Sequence, residues 1–361
     1  MVVERVRWTG LFAALVAGTW LLTLSPASDS RSATPTLESV WARATRGSVS
    51  GTLPDGTTYT PAFFLDAGTS VGSALSTDGG SVRLVVVRGS GNVRELRRLP
   101  AEAAPQFHGF VAGEGRLAWA ESVADARGTL TTSMWVMAAD GTGAGRRIAA
   151  DAGDVRQTDS AYELSIADGR LHWTAVAGES TEVRSVSLDG TGARTTSVPG
   201  LWSPVAWPWL LDSSDVIGGG RVRLMDRVRN VTQQFVAGQT EFPECGATWC
   251  RAIVMDDDQG NGRIDLMRID GTQRREIARA DAGFPVSDVA VLDRFEFLTD
   301  LTPATRAQRG RPLSIYDIAR GGAVRVASDA VSVLCRGGYL WWSSGFDDRL
   351  AWHVIDLRTL S

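Results

Sequence analysis

The feature that most constrains this chain is a strand-and-turn unit that recurs every 38 to 52 residues. Gly115-Arg116-Leu117-Ala118-Trp119, Gly169-Arg170-Leu171-His172-Trp173 and Gly338-Tyr339-Leu340-Trp341-Trp342 each open a strand with a glycine turn and set a leucine and a tryptophan along it. After the first two, a further apolar strand ends in an Asp-Gly turn, at Asp140-Gly141 and at Asp189-Gly190. The same hairpin recurs where Leu266-Met267-Arg268-Ile269 runs into Asp270-Gly271. Weaker copies of that strand lie at 84–87, 222–225, 313–316 and 352–355. Taking the turn after it as a marker gives Arg88, Asp140, Asp189, Arg229, Asp270, Arg320 and Arg358.

A period of this length, built of short strands that alternate apolar and polar, belongs to a radial array of sheets. One four-stranded sheet cannot bury both of its faces, whereas stacking sheets around an axis buries both. The expectation is an all-β chain folded as a β-propeller of about seven four-stranded blades over 47–361, preceded by one N-terminal hydrophobic helix. Six or eight blades, or a pair of β-sandwiches, stay open. The last unit stops after its third strand, so its outer strand is expected from 48–59 or from 60–65, closing the ring and removing an exposed edge. Residues 60–67 fit either the first strand of the first blade or that closing strand.

The hairpin of Trp135-Val136-Met137-Ala138-Ala139-Asp140-Gly141 with Arg146-Arg147-Ile148, and that of Met267 to Gly271 with Arg274-Arg275, resemble the WD40-like repeat of TolB-type propellers. Leu75-Ser76-Thr77-Asp78-Gly79 is similar to that family's Ser-Pro-Asp-Gly turn without its proline. The α/β domain that precedes the family's propeller is absent, and most units lack the turn. The resemblance implies an exported bacterial interaction module of the cell envelope.

The N-terminus carries an address. Arg5 and Arg7 precede an uncharged run from Trp8 to Leu24, followed by Ser25-Pro26-Ala27. Residues 1–27 therefore read as a signal peptide or a signal anchor, with everything downstream exported and, if uncleaved, tethered to the outer face of the cytoplasmic membrane. Residues 28–46 read as a linker with at most a helical turn near 37–44. The 37 basic residues are all arginine, and with 41 acidic residues they give a net charge of −4 with interspersed signs. No basic stripe is available to neutralise phosphates, which argues against nucleic acid.

Catalytic signals are sparse, and no catalytic residue is assigned. His108, His172 and His353 fall on strands, away from Asp, Ser or Cys at any motif spacing. Gly68-Thr69-Ser70-Val71-Gly72 matches a nucleophile elbow literally, yet a strand follows it where the elbow needs a helix. Trp202, Trp207, Trp209, Trp341 and Trp342 either pack between blades or line a funnel, with packing favoured. Cys245 and Cys250 are close enough to join neighbouring strands, so a disulfide is expected, with Cys335 a buried thiol. The stretch from Asp257 to Asp265 has a calcium-loop order. Asp257, Gln259 and Asn261 offer side-chain oxygens, Gly262 the bend, Arg263 its carbonyl and Asp265 a carboxylate. It resembles the calcium loops of integrin-type propeller blades, against a plain acidic hairpin. The functional expectation is a non-catalytic exported or membrane-anchored module that binds a protein, peptide or glycan. The alternative is an exported hydrolase or lyase with its site in the central cleft.

Overall fold

The computed structural model describes residues 34–89, 91–158, 160–212, 220–255, 262–279, 281–301 and 310–361. The N-terminal apolar run and Asp257, Gln259 and Asn261 lie outside the described residues. Among the described residues no helix is long and apolar enough to cross a membrane.

The strands form seven four-stranded antiparallel sheets, the blades of a propeller. Blades 1 to 6 take 59–100, 106–149, 164–199, 203–236, 241–279 and 282–330 in chain order, each running from its inner strand outward. Blade 7 takes its three inner strands from 333–356 and its outer strand from Arg46–Ser50, which pairs antiparallel with Ala351–Asp356. The closure is therefore supplied by the N-terminal side of the chain, starting two residues earlier than the expected 48–59 segment. Tyr59–Asp66 is the inner strand of blade 1 and resolves the ambiguity at 60–67. Gly47 is required at the closure. A Cβ there would collide with the Ala67 carbonyl of blade 1 and touch Val354, so a bulkier residue would push the outer strand off the ring.

Every turn marker read from the sequence falls at the end of a third strand or just after it. Arg88 ends Ser81–Arg88, Asp140 follows Leu130–Ala138, and Arg358 follows Ala351–Asp356. The three glycine-led segments are all second strands, Arg116–Ala124, Arg170–Ala177 and Tyr339–Ser344. The repetition has a packing cause. Second and third strands lie in the middle of each blade, covered on both faces, and carry the densest apolar runs. Trp119 and Trp341 are fully buried there, each contributing roughly 1.5–3 kcal/mol or more by burial. The third-to-fourth turns are also joints between blades. Arg94 donates from Nη1 to the Gly143 carbonyl at 2.6 Å, and Arg146 donates to the Leu188 and Asp189 carbonyls at 2.7 and 2.8 Å.

Not all of 28–46 is tether. The short helix Leu37–Val40 is capped by Thr36, and Leu37 and Trp41 are buried in the core shared by blades 6 and 7. An apolar pair four residues apart at the end of a polar stretch is enough to dock it.

Candidate axial site

The inner strands surround an axial space that the chain divides into cavities of about 750, 340 and 330 Å³. Between these cavities stand residues 154–158 and 160–163, which lie between the outer strand of blade 2 and the inner strand of blade 3, Leu164–Ala167, and reach blades 6 and 7. Ser160 Oγ donates to Asp288 Oδ1 at 2.5 Å, the Ala161 amide donates to Asp288 Oδ2 at 2.8 Å, and Arg336 Nη1 donates to the Ser160 carbonyl at 2.7 Å. Asp288 stands in blade 6 and Arg336 in blade 7, so two blades converge on this segment.

Two carboxylates line the 330 Å³ cavity, in unlike settings. Asp288 is buried, and burial pushes its carboxyl above the ordinary aspartate value despite the donors from Ser160 and Ala161 and the nearby Arg336 and Arg251. Glu244, on the inner strand of blade 5, is exposed over 61% of its side chain. Its Oε2 accepts from Arg251 Nε at 2.9 Å and Nη2 at 2.6 Å, which fixes the carboxylate in space. Arg251 is itself 1% exposed. It also donates to the fully buried Glu296 at 3.0 Å and to the Ser287 carbonyl at 2.9 Å, and it stacks on Phe284 at 4.0 Å. One saturated guanidinium thus holds an exposed carboxylate on one side and a buried one on the other. Burial pushes the Glu296 carboxyl up, opposed chiefly by Arg251.

The three histidines are not gathered around these cavities. His172 stacks on Trp207 at 3.8 Å between ring centres, and burial lowers its pKa. His353 stacks on Trp342 and bonds to Ser344 at 2.8 Å. His108 alone meets an acid. Its Nε2 lies 3.0 Å from Ser122 Oγ, and its Nδ1 lies 3.9 Å from Glu163 Oε2, with neither Nδ1 nor Oε2 otherwise partnered. Burial would raise the Glu163 carboxyl, but His108, Arg336 and the Thr158 amide outweigh it and hold its pKa below the ordinary value. The order Ser122, His108, Glu163 is that of a catalytic relay. Ser122 is nonetheless 2% exposed, its hydroxyl is shared with Thr132 at 2.8 Å, and it lines none of these cavities. The three side chains are a buried tie between blades 2 and 3.

The remaining expectations resolve locally. Ser70 is a fully buried strand residue bonded to Tyr59 at 2.9 Å, not an elbow nucleophile. Cys245 and Cys250 are directly opposite on adjacent strands and form a disulfide, and Cys335 is a buried thiol whose pKa burial drives well up. Trp202, Trp341 and Trp342 are buried between strands, while Trp207 is part-buried and lines the 340 Å³ cavity. Of the calcium-loop residues within the described chain, Arg263 and Asp265 lie on the strand Arg263–Arg268. The Asp265 carboxylate accepts from Arg263 Nε at 3.0 Å and from Arg274 Nε at 2.7 Å. Sequence reasoning missed Glu244, Arg251, Asp288 and Arg336. The one local signal was unusual polarity, an arginine inside an apolar second strand and another closing an apolar inner strand.

No protein-family model matches the chain, and no curated protein does. Solved structures do share its fold. The chain is similar to a puromycin-hydrolysing peptidase of Mycobacterium tuberculosis, with 15% identity and a TM-score of 0.50, over 86% of this chain and 54% of that one. It is similar to an oligogalacturonate lyase solved in complex with manganese, with 8% identity and a TM-score of 0.48, over 87% and 96%. It is similar to TolB of Acinetobacter baumannii, with 11% identity and a TM-score of 0.39, over 80% and 64%. Against the acylaminoacyl and puromycin-hydrolysing peptidases it spans 42% to 54% of their length. At such identities the likeness establishes the fold, a seven-bladed β-propeller of the kind its repeats resemble. It also corrects the functional expectation. The solved structures of this fold include a puromycin-hydrolysing peptidase, which counts against a non-catalytic interaction module as the main expectation, while at 15% identity the likeness itself shows the fold alone.

Proposed function

We propose that this chain is an exported hydrolase or lyase that works by carboxylate acid–base chemistry in the axial space of the propeller. The observation that carries the reading is the pair Glu244 and Asp288, two carboxylates lining one cavity, the first open to solvent and the second buried with its carboxyl pushed up. Such pairs divide the roles of acid and base. Asp288, raised by burial, is suited to deliver a proton to a leaving group. Glu244, reached by solvent and oriented by Arg251, is suited to take one from water or from a carbon acid, its Oε1 having no donor among the described residues. The inner strand of blade 5 holds Glu244, and Asp288, on the loop that follows the inner strand of blade 6, is fixed by Ser160 and Ala161, as proton transfer needs. Export is supported by the N-terminal apolar run and by the disulfide.

The test is turnover by the purified full chain on a panel of glycosides, acidic oligosaccharides, peptides and esters. Activity on one class is expected, falling about 10²- to 10⁴-fold in Glu244→Gln and in Asp288→Asn while unfolding stays cooperative. Absence of turnover across the panel, or full activity in both variants, would overturn the proposal.

A further inference from the structure

Two arginines face the axial cavities, and they are not equivalent. Arg251 is saturated by two carboxylates and two carbonyls. Arg336 ends the inner strand of blade 7, is 7% exposed, and lines both the 750 and the 340 Å³ cavities. Its single side-chain hydrogen bond to the described residues runs to the Ser160 carbonyl, and no carboxylate oxygen among them lies within 4.0 Å of it. The acids whose charge it feels are held by other donors, Asp288 by Ser160 and Ala161, and Glu163 by the Thr158 amide at 2.5 Å. A guanidinium carries five N–H donors in a rigid fork, and those of Arg336 not used on Ser160 face the cavities it lines, where an arriving acceptor can take them.

We infer that Arg336 anchors a carboxylate carried by the substrate of the axial cavity. The planar fork matches a carboxylate with two parallel hydrogen bonds. A phosphate dianion fits worse, because Glu244 shares the 750 Å³ cavity with Arg336, so a second negative charge meets added repulsion. A substrate fixed at Arg336 on blade 7 is separated by one blade from blade 5, where Glu244 stands, and both residues line the 750 Å³ cavity. This assignment rests on the acid–base reading of the same space, and it names the substrate class that reading left open.

The test is calorimetric titration of glucuronate, glucose and inorganic phosphate into the purified full chain and into Glu244→Gln, Arg336→Gln and Arg336→Lys. Glucuronate is expected to bind the unaltered protein, with glucose and phosphate each at least tenfold weaker, and to bind Glu244→Gln no more weakly. Arg336→Gln is expected to weaken glucuronate at least tenfold without a change in the melting temperature of the unliganded protein. If that variant does not fold, Arg336→Lys, which keeps the charge and loses the fork, is expected to bind several-fold more weakly. Equal affinity for glucuronate and glucose, no glucuronate binding, tighter binding of phosphate, or full affinity in both Arg336 variants overturns the inference. Glucuronate binding that depends on Arg336, without turnover of any substrate, sinks the acid–base reading alone. Turnover that depends on Glu244 but is indifferent to Arg336 sinks this inference alone.

Discussion

Replacing Arg251 with methionine removes the cation that, among the described residues, pairs with Glu296, which is 0% exposed. Breaking one side of a buried pair costs about 3–5 kcal/mol, and the structure says where that figure comes from. Glu296 keeps a hydrogen bond from the Ala290 amide at 2.5 Å, too little to hold a charge in the core, so in the variant it takes up a proton. Protonating a glutamate of ordinary pKa costs about 4 kcal/mol at pH 7 and about 1 kcal/mol at pH 5. The sign follows from a carboxyl whose folded-state pKa is raised: its contribution is fully present below the unfolded value and is lost as pH rises through the folded value. Urea unfolding should therefore give Arg251→Met a deficit of up to about 4 kcal/mol at pH 7 that shrinks by up to about 3 kcal/mol at pH 5, both upper bounds because the Glu296 carboxyl is already raised in the unaltered protein. Arg251→Met with Glu296→Gln should recover most of the loss and flatten its pH dependence. A deficit equal at both pH values, or a double variant no more stable than the single, would refute the argument.

Two further outcomes test the closure and the calcium loop. Gly47→Val should lower stability by about 1–3 kcal/mol through overpacking against Ala67 and Val354, and an unchanged melting temperature would show that the outer strand is not held where it is described. A calcium site from Asp257 to Asp265 is a proposal that requires millimolar Ca²⁺ to raise the melting temperature and Asp257→Ala with Asp265→Ala to abolish the rise; because Asp265 also binds Arg263 and Arg274, the response to Ca²⁺ decides the matter, not the starting stability.

The propeller was legible because its signals are local. Asp140-Gly141, Asp189-Gly190 and Asp270-Gly271 end strands whose apolar runs sit within ten residues of the turn, and the spacing of those turns carries the blade count. The closing strand was only half legible. Gly47 pairs with Val354, some three hundred positions apart, and nothing near Gly47 announces that partner. The axial site was illegible for the same reason. Arg251 meets Glu296 across a blade boundary, Ser160 meets Asp288 across the axis, and Arg336 meets Ser160 from the far side of the ring. The segment from 154 to 163 has no strand alternation, so as sequence it reads as a connection. Its role is visible only once the inner strands surround it. His108 and Glu163 show the converse, a pairing that looks catalytic in outline and is sealed by its surroundings.

The central claim, that Asp288 and Glu244 act as acid and base in the axial cavity, is tested most directly by the pH dependence of kcat/KM. A base that must be ionised sets the acid limb, and an acid that must stay protonated sets the alkaline limb. The account predicts a bell-shaped profile for the unaltered chain, with its alkaline limb removed in Asp288→Asn and its acid limb removed in Glu244→Gln. A profile whose two limbs are unmoved by both substitutions would contradict it.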